Sequence, residues 1–142
     1  MTTSTGTTDE EQIRAVLADR AAAMRERDAE RFVAQYAPQI VKFDLAPPLA
    51  SAGPQARDAV ALRAWFAVQP GGPIGYEVRD LTITIDGDVA FCHSLNQVGG
   101  ALWYRSTLGL RKADGAWRIT HEHNSTPIYM DGSDKAALDL QP

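Results

Sequence analysis

The chain has 142 residues, 44% of them hydrophobic, and a formal net charge of −4. That length suits one domain with a core and a modest cavity. Acids and bases are interspersed without a basic block, which argues against nucleic acid as a partner. Cys92 is the only cysteine, so an internal disulfide framework and a cysteine-based zinc site are excluded. The polar, acidic start MTTSTGTTDEE is unlike a signal peptide, and no apolar run is long enough to span a bilayer. These features predict a soluble, cytoplasmic protein with no membrane partner.

In chain order, the Thr/Ser-rich residues 1–8 are expected to form a disordered tail. Thr8 and Glu11 make a capping box, so a helix should start near Asp9. Ile13, Val16, Leu17, Arg20, Ala21 and Met24 then recur at helical spacing. Asp28 reads as the cap of a second helix carrying Phe32, Val33 and Tyr36 and stopped by Pro38. A short strand, IVKFDL, ends in Leu45, and the loop APPLASAGP follows. Gly53-Pro54 opens a third helix through Phe66, with Pro54 at its first position.

Strands fill the rest. In Tyr76 to Ile85, the parity of Leu81, Ile83 and Ile85 opposes that of Tyr76 and Val78, and a bulge near Arg79-Asp80 reconciles them. Asp86-Gly87 turns into Val89 to Val98, with Val89, Phe91, His93 and Leu95 on one face. Gly99-Gly100 turns into Leu102 to Lys112, with Leu102, Tyr104, Ser106, Leu108 and Leu110 on one face. Asp114-Gly115 turns into the last strand, WRITHEHNST. Helices first and then an antiparallel meander is an α+β pattern, expected as a domain over residues 9–128 with a C-terminal tail over 129–142.

The break between helices (RERDAERFVAQYAP), the strand leading to Asp44, the helix GPQARDAVALRAWF and the segment TLGLRKADGAWRITHEHNSTP resemble the nuclear transport factor 2-like superfamily. Its members include ketosteroid isomerase and the SnoaL-like polyketide cyclases. The final segment also resembles the end of the calcium/calmodulin-dependent kinase II association domain. The resemblance implies a cystatin-like, cone-shaped antiparallel sheet curved around the N-terminal helices. It also implies a pocket for a small-molecule ligand and a homodimer formed through the outer sheet face. In the isomerases a general-base Asp follows the first strand, where Asp44 stands. Their oxyanion hole needs a Tyr and a protonated Asp, where this chain has Arg20 and Leu108. Classical steroid isomerisation is therefore not implied.

The face taken by His121 and His123 depends on the Asp114-Gly115 turn. A two-residue turn pairs Leu110 with Ile119 and places His121 and His123 opposite Leu108 and Ser106. A three-residue turn flips every side chain. Burial of Trp117, about 2–3 kcal/mol on a transfer scale, favours the first arrangement, with both histidines inward. The resemblance favours Glu122 and Asn124 inward instead.

The candidate catalytic residues are Asp44, His121 and His123, as acids or bases near neutral pH. Asp44 also reads as a turn acid beside Ala46-Pro47-Pro48, with Lys42 within reach. The candidate ligand-binding residues are Arg20, His93, Trp65, Tyr104, Ser106, Glu122 and Asn124. Arg20, on an apolar helix stripe, needs an anionic partner: either a carboxylate of the chain such as Asp44, or an anionic ligand. His-x-His with His93 or Asp44 as a third leg is a weak metal signal, so neither metal nor cofactor is expected. The leading expectation is cofactor-independent proton transfer next to a carbonyl, as in an isomerase, cyclase or dehydratase. A binding module for a small apolar acid and a dimeric assembly domain are the alternatives.

Overall fold

A computed structural model describes residues 8–142; the rest of the expected N-terminal tail lies outside the described residues. Helix α1 (Asp9–Arg25) begins where the capping box places it, with Thr8 Oγ1 accepting from Glu11 N at 3.2 Å. Asp9, Glu10 and Glu11 sit in its first turn and Arg25 in its last, which suits the helix dipole at both ends. Arg27, at φ 59°, turns the chain sharply into α2 (Ala29–Val33), and the Asp28 carboxylate caps α2 through Arg31 N. The Arg27 guanidinium donates to the carbonyls of Phe66 and Gln69 at the end of the third helix, and to those of Pro70 and Gly72 beyond it. One side chain thus ties the first helical break to the second.

Strand β1 (Tyr36–Phe43) begins four residues before the expected Ile40. Tyr36 is therefore the first strand residue and not part of α2. Pro38 falls where the pairing of β1 with its neighbour jumps from Tyr36↔Ile119 to Val41↔His121. A proline has no ladder hydrogen bond to give there and is tolerated at such an irregularity. The two-residue β2 (Ser51–Ala52) leads into a 3-10 helix (Gly53–Arg57). Asp58 then restarts the chain as α3 (Ala59–Ala67), its carboxylate accepting from Ala61 N at 3.0 Å. The single helix expected from Gly53 is thus two helices split at a capping residue.

The remaining strands are β3 (Tyr76–Asp86), β4 (Val89–Val98), β5 (Leu102–Ala113) and β6 (Ala116–Ser125). The bulge expected near Arg79-Asp80 is present: the register shifts between Arg79 and Thr82, and Asp80 adopts φ 58°. The Asp114-Gly115 turn has two residues, both at positive φ, and pairs Ala113 with Ala116. After β6, Ile128 bridges to Ala136, and Ala137 N donates to Pro127 O, so residues 128–137 fold back on themselves.

All six strands form one sheet in the order β2-β1-β6-β5-β4-β3. This corrects the expected antiparallel cone. The sheet is mixed, because β1 runs parallel to β6, and it is open, because β2 and β3 are its two edges and do not meet. The helices pack on one face of this open sheet. Ile13, Met24 and Phe32 of the helices there join Tyr36, Ile40, Leu110, Trp117 and Ile119 of the strands in one core. The Trp117 indole donates to Asp9 Oδ1 at 3.1 Å, and Lys112 Nζ reaches the same oxygen at 3.0 Å, anchoring α1 to the last hairpin.

Candidate functional site

The inner face of the sheet changes character along its length. One cross-strand row is apolar: Ala90, Leu110 and Ile119. The next is Cys92, Leu108 and Glu122, then Ser94, Ser106 and Asn124, then Asn96 with Tyr104. Burial of Cys92 pushes its thiol up to about 11, so it stays protonated and serves as packing. At the polar end a cavity of about 350 Å³ opens between sheet and helices. Met24 of α1, Phe32 of α2 and Leu62 and Trp65 of α3 form its apolar wall, while Tyr104, Glu122 and Asn124 reach it from the sheet.

How Glu122 and Asn124 come to face inward resolves the conflict between the two expectations. The turn is the two-residue one, so Trp117 and Ile119 point into the core as their apolar character requires. Leu110 then pairs with Ile119, but Gly109 pairs with His121, leaving Thr120 as an extra residue. The Thr120 hydroxyl donates to Gly109 O at 3.2 Å across this bulge. Parity flips after it, which sends Glu122 and Asn124 inward and corrects the expected inward face of His121 and His123. His121 donates from Nδ1 to Val41 O at 2.8 Å, and both histidine rings meet Phe43 edge-on, on the side of the sheet away from the helices. His93 lies on that outer face too, paired in register with Thr82 and Thr107, and not in the pocket wall.

Arg20 is only 4% exposed and has the anionic partner that its position demands, but this is Glu122 and not Asp44. Arg20 Nη2 donates to Glu122 Oε1 at 2.7 Å and to the Tyr36 hydroxyl at 3.1 Å, and its guanidinium stacks over the Phe32 ring. The Tyr36 hydroxyl donates to the same Glu122 oxygen. Burial opposes ionisation of Glu122. The charges of Arg20 and Lys42, with the Tyr36 and Asn124 hydrogen bonds, outweigh it and hold the carboxyl below its usual range. Burial likewise opposes the charge on Arg20, and Glu122 together with Tyr36 and Tyr76 more than offsets it. The two form a buried ion pair whose charges cancel, made through Arg20 Nη2, while Arg20 Nε has no partner among the described residues.

Asp44 sits at the rim. Its Oδ1 accepts from Leu45 N at 2.7 Å and from Asn124 Nδ2 at 3.2 Å, and its Oδ2 lies 3.6 Å from Lys42 Nζ. Asn124 Nδ2 also donates to Glu122 Oε2 at 2.6 Å, so the amide links the buried carboxylate to the exposed one. Tyr104 is buried on the cavity wall, and burial raises its hydroxyl far above the ordinary tyrosine range, which keeps it a proton donor. Ser106 is buried in register between Ser94 and Asn124, and Trp65 lines the cavity half-exposed.

Of the residues singled out in the sequence, Asp44, Arg20, Trp65, Tyr104, Glu122 and Asn124 thus surround one cavity, Ser106 lies beside it in register, and the three histidines do not reach it. Tyr36, Tyr76 and Asn96 were missed. Tyr36 had been placed in a helix, and its signal was the strand-forming run that it starts. Asn96 donates to the Tyr76 hydroxyl at 3.2 Å on the face opposite Phe91 and His93. The apolar alternation of that strand pointed to the wrong side. Among the described residues no group of three or more His, Cys, Asp or Glu side chains is placed to hold a metal ion, and no helix is long and apolar enough to cross a membrane.

Residues 13–129 match the SnoaL-like domain family. A comparison with curated proteins found no match. Among solved structures, an NTF2-like protein of unknown function from Pseudomonas putida KT2440 is 30% identical. The alignment covers 96% of this chain and 100% of that one, with a TM-score of 0.83. A candidate dehydratase of the NTF2-like family from Streptomyces avermitilis is 15% identical, with 85% and 97% of the chains covered and a TM-score of 0.70. A candidate scytalone dehydratase from Novosphingobium aromaticivorans is also 15% identical, with 94% of each chain covered and a TM-score of 0.70. These last two share the fold. The matches reach the superfamily without singling out ketosteroid isomerase or the kinase association domain.

Proposed function

We propose, starting from the fact that this chain belongs to the SnoaL-like domain family, that it is a small-molecule enzyme moving a proton next to a carbonyl without a cofactor. The observation that carries this reading is the Asp44 carboxylate. It is held by Leu45 N and Asn124 at the rim of an otherwise largely apolar cavity, with a lysine ammonium beside its second oxygen. In this reading Asp44 Oδ2 takes the proton from the carbon next to the carbonyl. The electron pair of the broken C–H bond moves into the C–C bond, and the carbonyl oxygen becomes an enolate. The Lys42 ammonium and the Tyr104 hydroxyl donate to that oxygen. The proton held by Asp44 then returns to another carbon, as in an isomerase, or to a β-hydroxyl that leaves as water, as in a dehydratase. Arg20, the oxyanion holder first considered, is already neutralised by Glu122. The same neutralisation disfavours capture of a small apolar acid through Arg20.

The test uses 2-tetralone, a two-ring ketone with acidic α-protons. In D2O, proton NMR follows loss of the α-proton signal. The wild-type protein accelerates exchange over buffer, and Asp44→Asn lowers the acceleration by about a hundredfold or more while melting like the wild type. Equal exchange in protein and buffer, or full acceleration by Asp44→Asn, contradicts this assignment.

A second reading, compatible with the first, rests on the outer face. Phe91 and Val89 are each 49% exposed there, and Val41 and Phe43 stand across the sheet beside His121 and His123. An isologous homodimer would bury this surface against a second copy.

A further inference from the structure

A second cavity, of about 160 Å³, lies beside the first, between α2, the 3-10 helix and the start of α3. Val33, Gln55, Ala56, Asp58 and Ala61 line only this one, while Phe32, Tyr36, Lys42 and Leu62 line both. Those shared side chains are the partition between the cavities. Most of them are fixed in place. Phe32 and Tyr36 are buried and meet edge to face, with Arg20 stacked on Phe32 and the Tyr36 hydroxyl bonded to Glu122. Leu62 packs against the core. Lys42 is held differently. Its register with Glu122 puts it on the inner face of β1. Its ammonium lies 3.6 Å from Asp44 Oδ2, longer than a hydrogen bond, and 5.3 Å from the centre of the Tyr36 ring. Both contacts are weak for a side chain that water still reaches, and its long stem is flexible. Lys42 is therefore the movable part of the partition.

We infer that Lys42 is the specificity-determining residue of this site, and that the ligand it admits is an elongated, uncharged ring ketone whose far end passes Lys42 into the second cavity. This rests on the first cavity being a small-molecule site, as proposed above. The first cavity is near the small end of what ligand sites occupy, and the second extends it past one side chain without a backbone shift. The ammonium leaves the Tyr36 ring and turns to the rim, where Asp44 and the carbonyl oxygen of the proposed reaction lie. The uncovered Tyr36 ring becomes the floor of the passage. An anionic far end is disfavoured, because it would enter beside the Asp58 carboxylate that caps α3.

The experiment compares 2-tetralone with its extended analogue 6-phenyl-2-tetralone. In uniformly 15N-labelled wild-type protein, which needs no variant to fold, the extended probe is expected to shift the amides of Gln55, Ala56 and Ala61, and 2-tetralone to leave them in place. Calorimetry gives the ratio of the two affinities. Lys42→Ala, which removes the partition, is expected to raise that ratio in favour of the extended probe by about tenfold. Loss of a Lys42 hydrogen bond to the ketone affects both probes and leaves the ratio unmoved. No shifts at Gln55, Ala56 and Ala61, or a ratio unchanged in Lys42→Ala, overturns the inference and leaves the first cavity standing as a site for 2-tetralone. Binding in both cavities without exchange of the α-protons supports the inference and removes only the enzyme reading. Failure of both probes to bind overturns the inference together with the cavity reading.

Discussion

At the scale of single residues, Arg20 was legible and its partner was not. A guanidinium on an apolar helix stripe must be paired, and that follows from sequence alone. Which carboxylate pairs with it depends on which face of β6 carries Glu122, and a single inserted residue decides that. The pairing has an acid signature. The Glu122 carboxyl is held below its unfolded value, so its contribution is fully present above roughly pH 4.3, the usual carboxyl value. The contribution is lost as pH falls through the lower folded value. Glu122→Gln leaves Arg20 buried without its anion and is expected to cost about 3–5 kcal/mol at neutral pH. Urea unfolding between neutral pH and pH 3 checks both parts. The variant should be less stable throughout the neutral range and should show a shallower loss of stability in acid than the wild type. Parallel curves would mean that the pair contributes nothing to the acid transition.

At the scale of elements, the two strand bulges show what a pattern of residues can and cannot reveal. Around Asp80 the apolar residues change parity, from Tyr76 and Val78 to Leu81, Ile83 and Ile85, so the bulge could be read directly. Around Thr120 the parity also changes, but polar residues follow: Trp117 and Ile119 mark the inner face before the bulge and nothing apolar marks it after. The apolar pattern was right up to Ile119, and the family likeness was right from Glu122 onward. The same limit explains α2 and β1, where Pro38 read as a helix stop although it occupies an irregular strand pairing. Deleting Thr120 should leave a regular ladder with the same faces, because Leu110 still pairs with Ile119, Gly109 with His121 and Leu108 with Glu122. Glu122 and Asn124 then stay inward, the Arg20–Glu122 pair is kept, and the deletion variant is expected to melt close to the wild type. A large drop in its melting temperature, of the size expected for an orphaned buried arginine, would show that the faces are not set by this one extra residue.

At the scale of the whole molecule, the α+β class and the order of elements could be read from the capping, turn and alternation signals. The openness of the sheet could not, because β1 pairs with β6 across most of the chain and no local pattern encodes that parallel contact. The alternation of Val89, Phe91, His93 and Leu95 was read as the inner side, but it is the outer side. The inner residues of β4 are Ala90, Cys92 and Asn96, where helices and cavity approach closely. An apolar outer face is the feature that a second copy would cover. Phe91→Arg is expected to shift the protein from dimer to monomer in light scattering while leaving its fold intact, and a wild-type monomer at high concentration would remove the dimer reading. The central claim, that the cavity between the helices and the polar end of the sheet binds a small ring-bearing molecule, is tested most directly by NMR shift mapping of 15N-labelled protein titrated with 2-tetralone. Saturable shifts gathered at Asp44, Trp65, Tyr104 and Asn124 are the predicted result. Shifts gathered instead at Phe43, Phe91 and the histidines of the outer face, or none at all, would contradict it.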